Sequence, residues 1–504
     1  MKNMKPIFSY VFLVSLGMLT LASCDLSEEV YSSIYTANFY KTSSDAEAAL
    51  TAAYDPLGDL YNGPAATIVP DFSADQVYPR VAVSRNTLTL FTYDVNYTAQ
   101  RTAGRTYESP EQIWISAYDG IEKANWVIER VQGASMDANR KKEIIGEAYF
   151  LRAFYHWMAA KNFGNVIIKV KASDVEANAY VSKSPMADVY RQIYKDLDSA
   201  TAKLPTHTAA LVKGRASKEA ALALYAKAAL YNEDWGTALT KAQAVLANTY
   251  LALMPNVKDL YDVTKEDQAR VENIFAFEAE SSTSVSSSTM SRSHQLVGLC
   301  GPAGSAAPAY GVTTFGSMFA YQSFFDSFDP DDKRRQLLDT NYVDKAGKVV
   351  KQRNLTPITT RGVLIKKYMD PISLSGNTNN VPILRVADVY LIAAEAEARL
   401  NGGTALAYGY IKKVRDRAGL DELTPGLDKD AFVDAVLQER SWEFFAEGDR
   451  WYDLTRTGQF MTVIPAAVND YYPVRTPQEK NKYFPIPQNE LNANIKLVQN
   501  DPWK

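Results

Sequence analysis

The sequence predicts a mainly α-helical protein, a single body of about four helical hairpins that carries long irregular loops and minor β-hairpins. Three observations indicate this fold class. Apolar residues recur at helical spacing in several long segments. Small residues are paired across short turns, where two helices can approach closely. Two long stretches have no helical period and are rich in residues that favour turns and loops.

The first 23 residues have the layout of a signal peptide. Lys2 and Lys5 precede an apolar run that ends in Leu21-Ala22-Ser23-Cys24. A charged start, an apolar middle and small residues at the cut are typical of exported precursors. The last four residues have the form of a lipobox. We therefore expect cleavage before Cys24 and attachment of lipid to its thiol, and buried acyl chains hold a protein stably on a bilayer.

Without residues 1–23 the chain has 52 basic and 58 acidic residues, a net charge of −6. Nothing in this balance indicates a basic surface for nucleic acid. We divide the remainder into an acidic, lipidated tether over 24–40 and a body over 41–504. The halves of the body are 41–255 and 256–504. No long uncharged apolar run follows residue 24, so the body is expected to be soluble.

The predicted elements begin with a helix whose capping box is Ser44-Asp45-Ala46-Glu47 and which ends at Pro56. Residues 62–110 contain several prolines and no helical period, and we interpret them as an irregular ligand loop with a short strand or two. A second long loop covers 281–320. Further helices are predicted over 111–131, over 139–161, from a cap at Ser184 to about Lys203, and over 428–456; a β-hairpin is predicted within 341–370.

The clearest repeat covers residues 217–247. Ala226 and Ala238 lie on either side of a short turn, as in the helical hairpins of tetratricopeptide repeats, which number about 34 residues. Residues 386–418 have the same arrangement. The sequence therefore predicts an array of tetratricopeptide-like hairpins.

A catalytic alternative rests on Glu439, Glu443 and Glu447, whose spacing places them on one helix face. Paired carboxylates serve as acid and base in glycoside hydrolysis. An ordinary charged stripe, balanced by Arg440 and Arg450, explains the pattern more simply. The three histidines are far apart in sequence and no metal-ligand spacing occurs, so neither a metal nor a cofactor is predicted.

Aromatic residues in the ligand loop suggest a different function. A tyrosine ring offers a flat apolar face with a polar tip, on which the C–H face of a sugar stacks. Carboxylates and guanidinium groups bind sugar hydroxyls. The alternative is that these rings only pin the loop to the body. The candidate residues in this loop are Asp75, Arg80, Arg85, Tyr93, Tyr97 and Tyr107.

Several segments resemble the SusD/RagB family of nutrient-uptake outer-membrane lipoproteins. Residues 147–155 and the turn that follows are similar to an early helix of the family, and residues 384–396 to a late repeat helix. Residues 439–454, ERSWEFFAEGDRWYDL, are the most distinctive match, and residues 484–488 resemble the closing segment.

The resemblance implies a single helical body on the outer face of a Gram-negative outer membrane. It also implies a SusC-type TonB-dependent transporter as partner, capture of oligosaccharides or, in some members, peptides, and no enzymatic activity. It adds Tyr310, Phe315 and Tyr321 of the second loop as stacking rings. The ligand loop has no tryptophan where starch binders hold one, which argues against a starch-like helical ligand. Peptide capture, a lipoprotein hydrolase and a scaffold without a small ligand remain the alternatives.

Overall fold

A computed structural model describes residues 39–62, 64–81, 83–97, 108–279, 296–311, 314–371 and 378–504. The predicted signal peptide, Cys24 and Tyr107 lie outside the described residues. Tyr40–Lys504 forms one compact unit. Within the described ranges, no helix has the length and apolar character needed to cross a bilayer.

Helices dominate this unit, and the strands are short. The helices are α1 Ser43–Tyr54, α2 Pro56–Tyr61, α3 Ala65–Ser73, α4 Val83–Leu90, α5 Pro110–Arg130, α6 Ala138–Phe163, α7 Glu176–Ala179, α8 Met186–Thr201, α9 Lys218–Tyr231, α10 Trp235–Leu246, α11 Glu266–Ala269, α12 Leu296–Cys300, α13 Gln322–Asp326, α14 Val386–Asn401, α15 Ala405–Ala418, α16 Lys429–Glu443, α17 Arg450–Arg456, α18 Phe460–Ala466 and α19 Gln488–Ala493. The strands are β1 Val77–Pro79, β2 Val166–Ile167, β3 Lys183–Ser184, β4 Asn273–Phe277, β5 Met318–Ala320, β6 Leu338–Asp339, β7 Asn341–Val343, β8 Val349–Lys351, β9 Leu364–Ile365 and β10 Val381–Arg385.

Successive helices pack as antiparallel hairpins. Helix α5 packs on α6, α9 on α10, and α14 on α15. The small residues that predicted two of these hairpins are completely buried, and they are Ala226, Ala238, Ala394 and Ala407. The mainly helical, tetratricopeptide-like prediction is confirmed.

Four local predictions differ from the structure. The helix predicted over 428–456 is interrupted, because α16 ends at Glu443 and α17 begins at Arg450, so Glu447 lies outside both helices. The capping box of α1 is formed by Thr42 and Asp45, two residues before the predicted one. Helices α3 and α4 occupy part of the predicted irregular loop. Ser184 belongs to strand β3 and makes no cap for α8, which follows Pro185.

The strands pair in twos, all antiparallel. The predicted β-hairpin is present as β7 and β8, with Tyr342 opposite Val350. Strands β1 and β5 are far apart in sequence, and their pairing joins the ligand loop to the second loop. The fold thus brings the two predicted ligand segments together on the helical body.

Candidate functional site

The candidate site lies where the ribbon of β1 and β5 ends. Tyr78 lies opposite Phe319 in this ribbon. Just beyond β1, the Arg80 amide donates a hydrogen bond to the Ser317 carbonyl oxygen, at 2.8 Å. We call Arg80, Val81 and residues 315–317 the ribbon edge. The backbone of the candidate Arg80 therefore lies against the segment that carries Phe315, a candidate from the other loop.

Phe315 presents an exposed ring at the ribbon edge, with half of its surface (50%) accessible to solvent. Its backbone is fixed, because its amide donates to the Gly298 carbonyl oxygen at 2.6 Å. The next residue, Gly316, has φ +58°. A Cβ there would lie 2.7 Å from the Ala303 backbone nitrogen, so only glycine fits this turn.

Two of the predicted polar contacts are occupied by ion pairs. Asp75 accepts two hydrogen bonds from the Arg450 guanidinium, at 2.8 and 3.0 Å. Burial acts to raise the pKa of Asp75, but Arg450 outweighs it and holds the pKa below its usual value. Arg85 pairs with Glu108 in the same two-pronged geometry, at 2.8 and 2.6 Å. Arg80 is partly exposed, and no described residue pairs with its guanidinium.

The tyrosines of the ligand loop pin the loop to the closing segment of the chain. Tyr97 is completely buried and its hydroxyl donates to the Pro485 carbonyl oxygen. Tyr93 is also buried, with ring centroids 5.2 Å from Phe484 and 5.6 Å from Trp503. Burial raises the pKa of both tyrosines. Neither ring has an open face, as expected if these tyrosines only anchor the loop.

Tyr310 and Tyr321 of the second loop are likewise buried. The Tyr321 ring lies 4.6 Å from the Tyr78 ring and 5.1 Å from the Arg475 guanidinium. Burial raises the pKa of Tyr321 to about 12. The structure therefore assigns these two rings to packing as well. Among the described stacking candidates, only Phe315 has an open face; ligand contact by the buried rings stays a prediction.

A cleft of about 710 Å³ opens beside the ribbon. Its walls come from Tyr78 of β1, the hairpin β7–β8, the segment that leads into β9, and residues 468–471. Its polar lining includes Gln322, Asp326, Arg353, Arg361, Asn469 and Asp470. The sequence analysis missed the cleft because its walls come from separate parts of the chain with no local motif.

The three glutamates considered for catalysis are buried in an ion-pair network. Glu443 accepts hydrogen bonds from Arg385 at 2.9 Å, from Arg417 at 2.5 Å and from Arg334 at 3.3 Å. Burial acts to raise the pKa of Glu443, but the three arginines outweigh it and hold the pKa well below its usual range. Glu439 accepts from Arg334 at 2.6 Å.

Glu447, the third member, accepts from Lys367 at 2.6 Å. A hydrolytic acid needs access to substrate, and these three carboxylates are buried and charge-paired. The three glutamates pair with basic side chains, as the simpler interpretation expected, but Glu447 lies beyond the end of α16 and the partners are not Arg440 and Arg450. Arg440 pairs with Asp388 and Asp453. Sequence reasoning did not identify Arg334, Arg385 and Arg417 as the partners. Its one relevant indication was that a row of glutamates needs basic side chains nearby.

In the described part of the chain, no cluster of three or more His, Cys, Asp or Glu side chains is arranged to hold a metal ion. His156 is completely buried, and its Nδ1 lies 3.0 Å from the Arg152 carbonyl oxygen. Burial lowers the pKa of His156 to about 4. His156 is thus a neutral core residue.

The fold and its open cleft define a helical-repeat protein of the tetratricopeptide-like class. Two family models match the chain. One is described as the SusD family and covers residues 312–503. The other is described as "Starch-binding associating with outer membrane" and covers residues 26–230. Together they cover most of both halves, and the chain belongs to the SusD/RagB family.

Individual relatives match most of the chain. SusD-like protein P2 of Formosa agariphila is 28% identical, with 96% of this chain and 97% of the relative covered. The starch-binding protein SusD of Bacteroides thetaiotaomicron is 24% identical over 78% of each chain.

Solved structures show the same fold. Surface glycan-binding protein A from Bacteroides uniformis is 25% identical with a TM-score of 0.73, covering 92% of this chain and 100% of that one. A laminarin-binding SusD-like protein is 22% identical with a TM-score of 0.75, over the same shares.

Proposed function

We propose that this protein is a cell-surface lipoprotein that captures oligosaccharide or polysaccharide nutrients. Lipid on Cys24 anchors it to the outer membrane, and it delivers its ligand to a SusC-type TonB-dependent transporter. The observation that carries the proposal is the exposed ring of Phe315, whose backbone is hydrogen-bonded in the segment that pairs with the Arg80 backbone at the ribbon edge.

This pair of side chains suits a sugar. The C–H face of a pyranose stacks on an exposed aromatic ring, and a ring on a fixed backbone loses less conformational entropy when it binds. The guanidinium of Arg80 supplies several N–H donors for hydroxyl oxygens. Because most candidate tyrosines are buried, we assign the initial contact to the ribbon edge.

The names of relatives support a carbohydrate ligand. One similar structure is surface glycan-binding protein A from Bacteroides thetaiotaomicron in complex with laminarihexaose, which shares 23% of its sequence with this chain at a TM-score of 0.73. Another relative is named a starch-binding protein. The family model for the N-terminal part describes association with the outer membrane.

Binding without catalysis is the second part of the proposal. Glycosidases place two carboxyl groups about 5–10 Å apart on either side of the scissile bond. Glu439, Glu443 and Glu447 are turned into the body and neutralised by basic partners. Their charges stabilise the fold. We therefore expect the protein to release its ligand chemically unchanged.

Calorimetric titration tests the ligand class. Purified residues 25–504 are titrated with soluble polysaccharides, including laminarin and starch, and separately with peptide pools. We expect saturable binding of at least one polysaccharide and an unchanged ligand on recovery. Binding of peptides alone would replace this proposal with peptide capture. For the anchor, full-length protein should enter the membrane fraction and Cys24→Ala should not.

A further inference from the structure

We propose that the cleft beside the ribbon is a second carbohydrate-binding site, which takes a further segment of the oligosaccharide held at the ribbon edge. The class of ligand rests on the proposed function. The location and the chemistry rest on the cleft itself.

Strand β1 runs from the wall of the cleft to the ribbon edge. Tyr78 belongs to the cleft wall, and Arg80 follows two residues later. An extended strand rises about 3.3 Å per residue, so the two backbone positions lie roughly 7 Å apart. One oligosaccharide of several sugars therefore has the length to contact both regions.

The size and lining of the cleft suit a hydroxyl-rich ligand. Its volume of about 710 Å³ lies within the range of small-molecule sites. Its wall contains amides, carboxylates and guanidinium groups. Together these groups supply both donors and acceptors for sugar hydroxyls, which themselves donate and accept hydrogen bonds. Val468 and Ile358 add two exposed apolar side chains for sugar C–H groups. An apolar peptide segment would leave this polar wall unpaired.

Two amides of the wall have one end fixed and the other unpaired. Gln352 is 1% exposed, and its Nε2 donates to the Thr360 carbonyl oxygen at 2.8 Å. Its Oε1 is buried and has no hydrogen-bond partner. Asn469 accepts from the Tyr472 amide at 2.8 Å, while its Nδ2 is buried without a partner. A buried polar atom without a hydrogen-bond partner destabilises the folded protein and is rare in native structures. Both residues belong to the cleft lining, so each unpaired atom is a candidate partner for a ligand hydroxyl.

The floor of the cleft is held in place before any ligand binds. The Tyr78 hydroxyl donates to the Arg361 carbonyl oxygen at 2.9 Å. A Cβ on Gly362 would lie 2.3 Å from the same hydroxyl oxygen, so the backbone lies directly against the ring. A fixed floor reduces the entropy that a ligand must overcome on binding.

Two sets of variants test the cleft. The double variant Gln322→Ala/Asp470→Ala removes exposed polar groups, and Val468→Trp fills space from an exposed position. Neither change alters a core residue. Asn492→Ala, an exposed amide on α19 outside the cleft lining, is the matched control. Circular dichroism and thermal unfolding verify that each variant folds.

The probes are laminari- and malto-oligosaccharides of two to six sugars, titrated calorimetrically into wild type and variants. We expect both cleft variants to bind the hexasaccharide at least tenfold more weakly and the disaccharide within about twofold of wild type. Phe315→Ala should weaken both lengths, and Asn492→Ala neither.

Wild-type hexasaccharide affinity in both cleft variants, with binding lost in Phe315→Ala, would overturn the second site and leave the proposed function standing. Failure of the wild type to bind any of these oligosaccharides would overturn the second site, and the proposed function would fall as well only if the wild type also bound none of the polysaccharides. Release of shorter sugars from the hexasaccharide would show the cleft to be catalytic and overturn its assignment as a binding site.

Discussion

Removing the charge of Glu443 should destabilise the whole body. Its carboxylate contacts three buried arginines, Arg334, Arg385 and Arg417, within 3.3 Å. Glu443→Gln keeps the shape but leaves these cations without one of their counter-charges. Breaking a buried ion pair from one side costs about 3–5 kcal/mol. The arginines keep other carboxylates, including Glu272, and this places the expected loss near the lower end of that range.

Thermal unfolding followed by circular dichroism measures the effect. A loss of this size lowers the midpoint by roughly 3–5 °C in a body of several hundred residues. The matched control is Glu422→Gln, which removes the same group from an exposed pair with Lys412. Solvent screens an exposed pair, which therefore contributes little to stability, so the control should unfold near the wild-type temperature. Equal midpoints for the two variants would refute the claim that Glu443 stabilises the fold through its arginines.

Three further predictions concern the network and the loops. The pKa values of Glu443 and Glu447 are held below the usual range in the folded state, so their stabilisation is present above about pH 4 and lost as the pH falls further; urea midpoints measured from pH 7 to pH 3 should fall steeply below pH 4, and a flat profile would contradict this. Tyr97→Phe removes the hydrogen bond to Pro485 and should cost about 1 kcal/mol in urea unfolding while glycan affinity stays within twofold; a larger loss of affinity would place Tyr97 in the ligand site. Gly316→Ala should destabilise the ribbon edge by about 1–3 kcal/mol, because its left-handed conformation and close packing exclude a side chain; an unchanged midpoint would show that the turn adapts.

The helical hairpins could be predicted because their signals are local. In 217–247 and 386–418, the small residues that permit close helix packing and the turn between them lie within one repeat. The cap of α1 was misplaced because Thr42 and Ser44 both precede an acidic residue by three positions. Helix α3 was missed because it is buried on every side, so its sequence has no polar face and no period.

The ligand residues were harder to predict, because burial depends on distant parts of the chain. Tyr97 is covered by Pro485, far along the sequence. Asp75 and Arg450 belong to different halves of the chain, and only the tertiary structure brings them into contact. A loop aromatic has the same local sequence whether it faces solvent or the body, and the tertiary contacts decide that Phe315 is exposed while Tyr310 is not.

The most direct test of glycan capture at the ribbon edge is a comparison of Phe315→Ala with Tyr180→Ala. Tyr180 is an exposed aromatic elsewhere on the body, with 37% of its surface accessible, against 50% for Phe315. Both variants are titrated calorimetrically with the polysaccharide that the wild type binds. The account predicts that Phe315→Ala loses at least tenfold in affinity and that Tyr180→Ala binds like the wild type. Full binding by Phe315→Ala would contradict it.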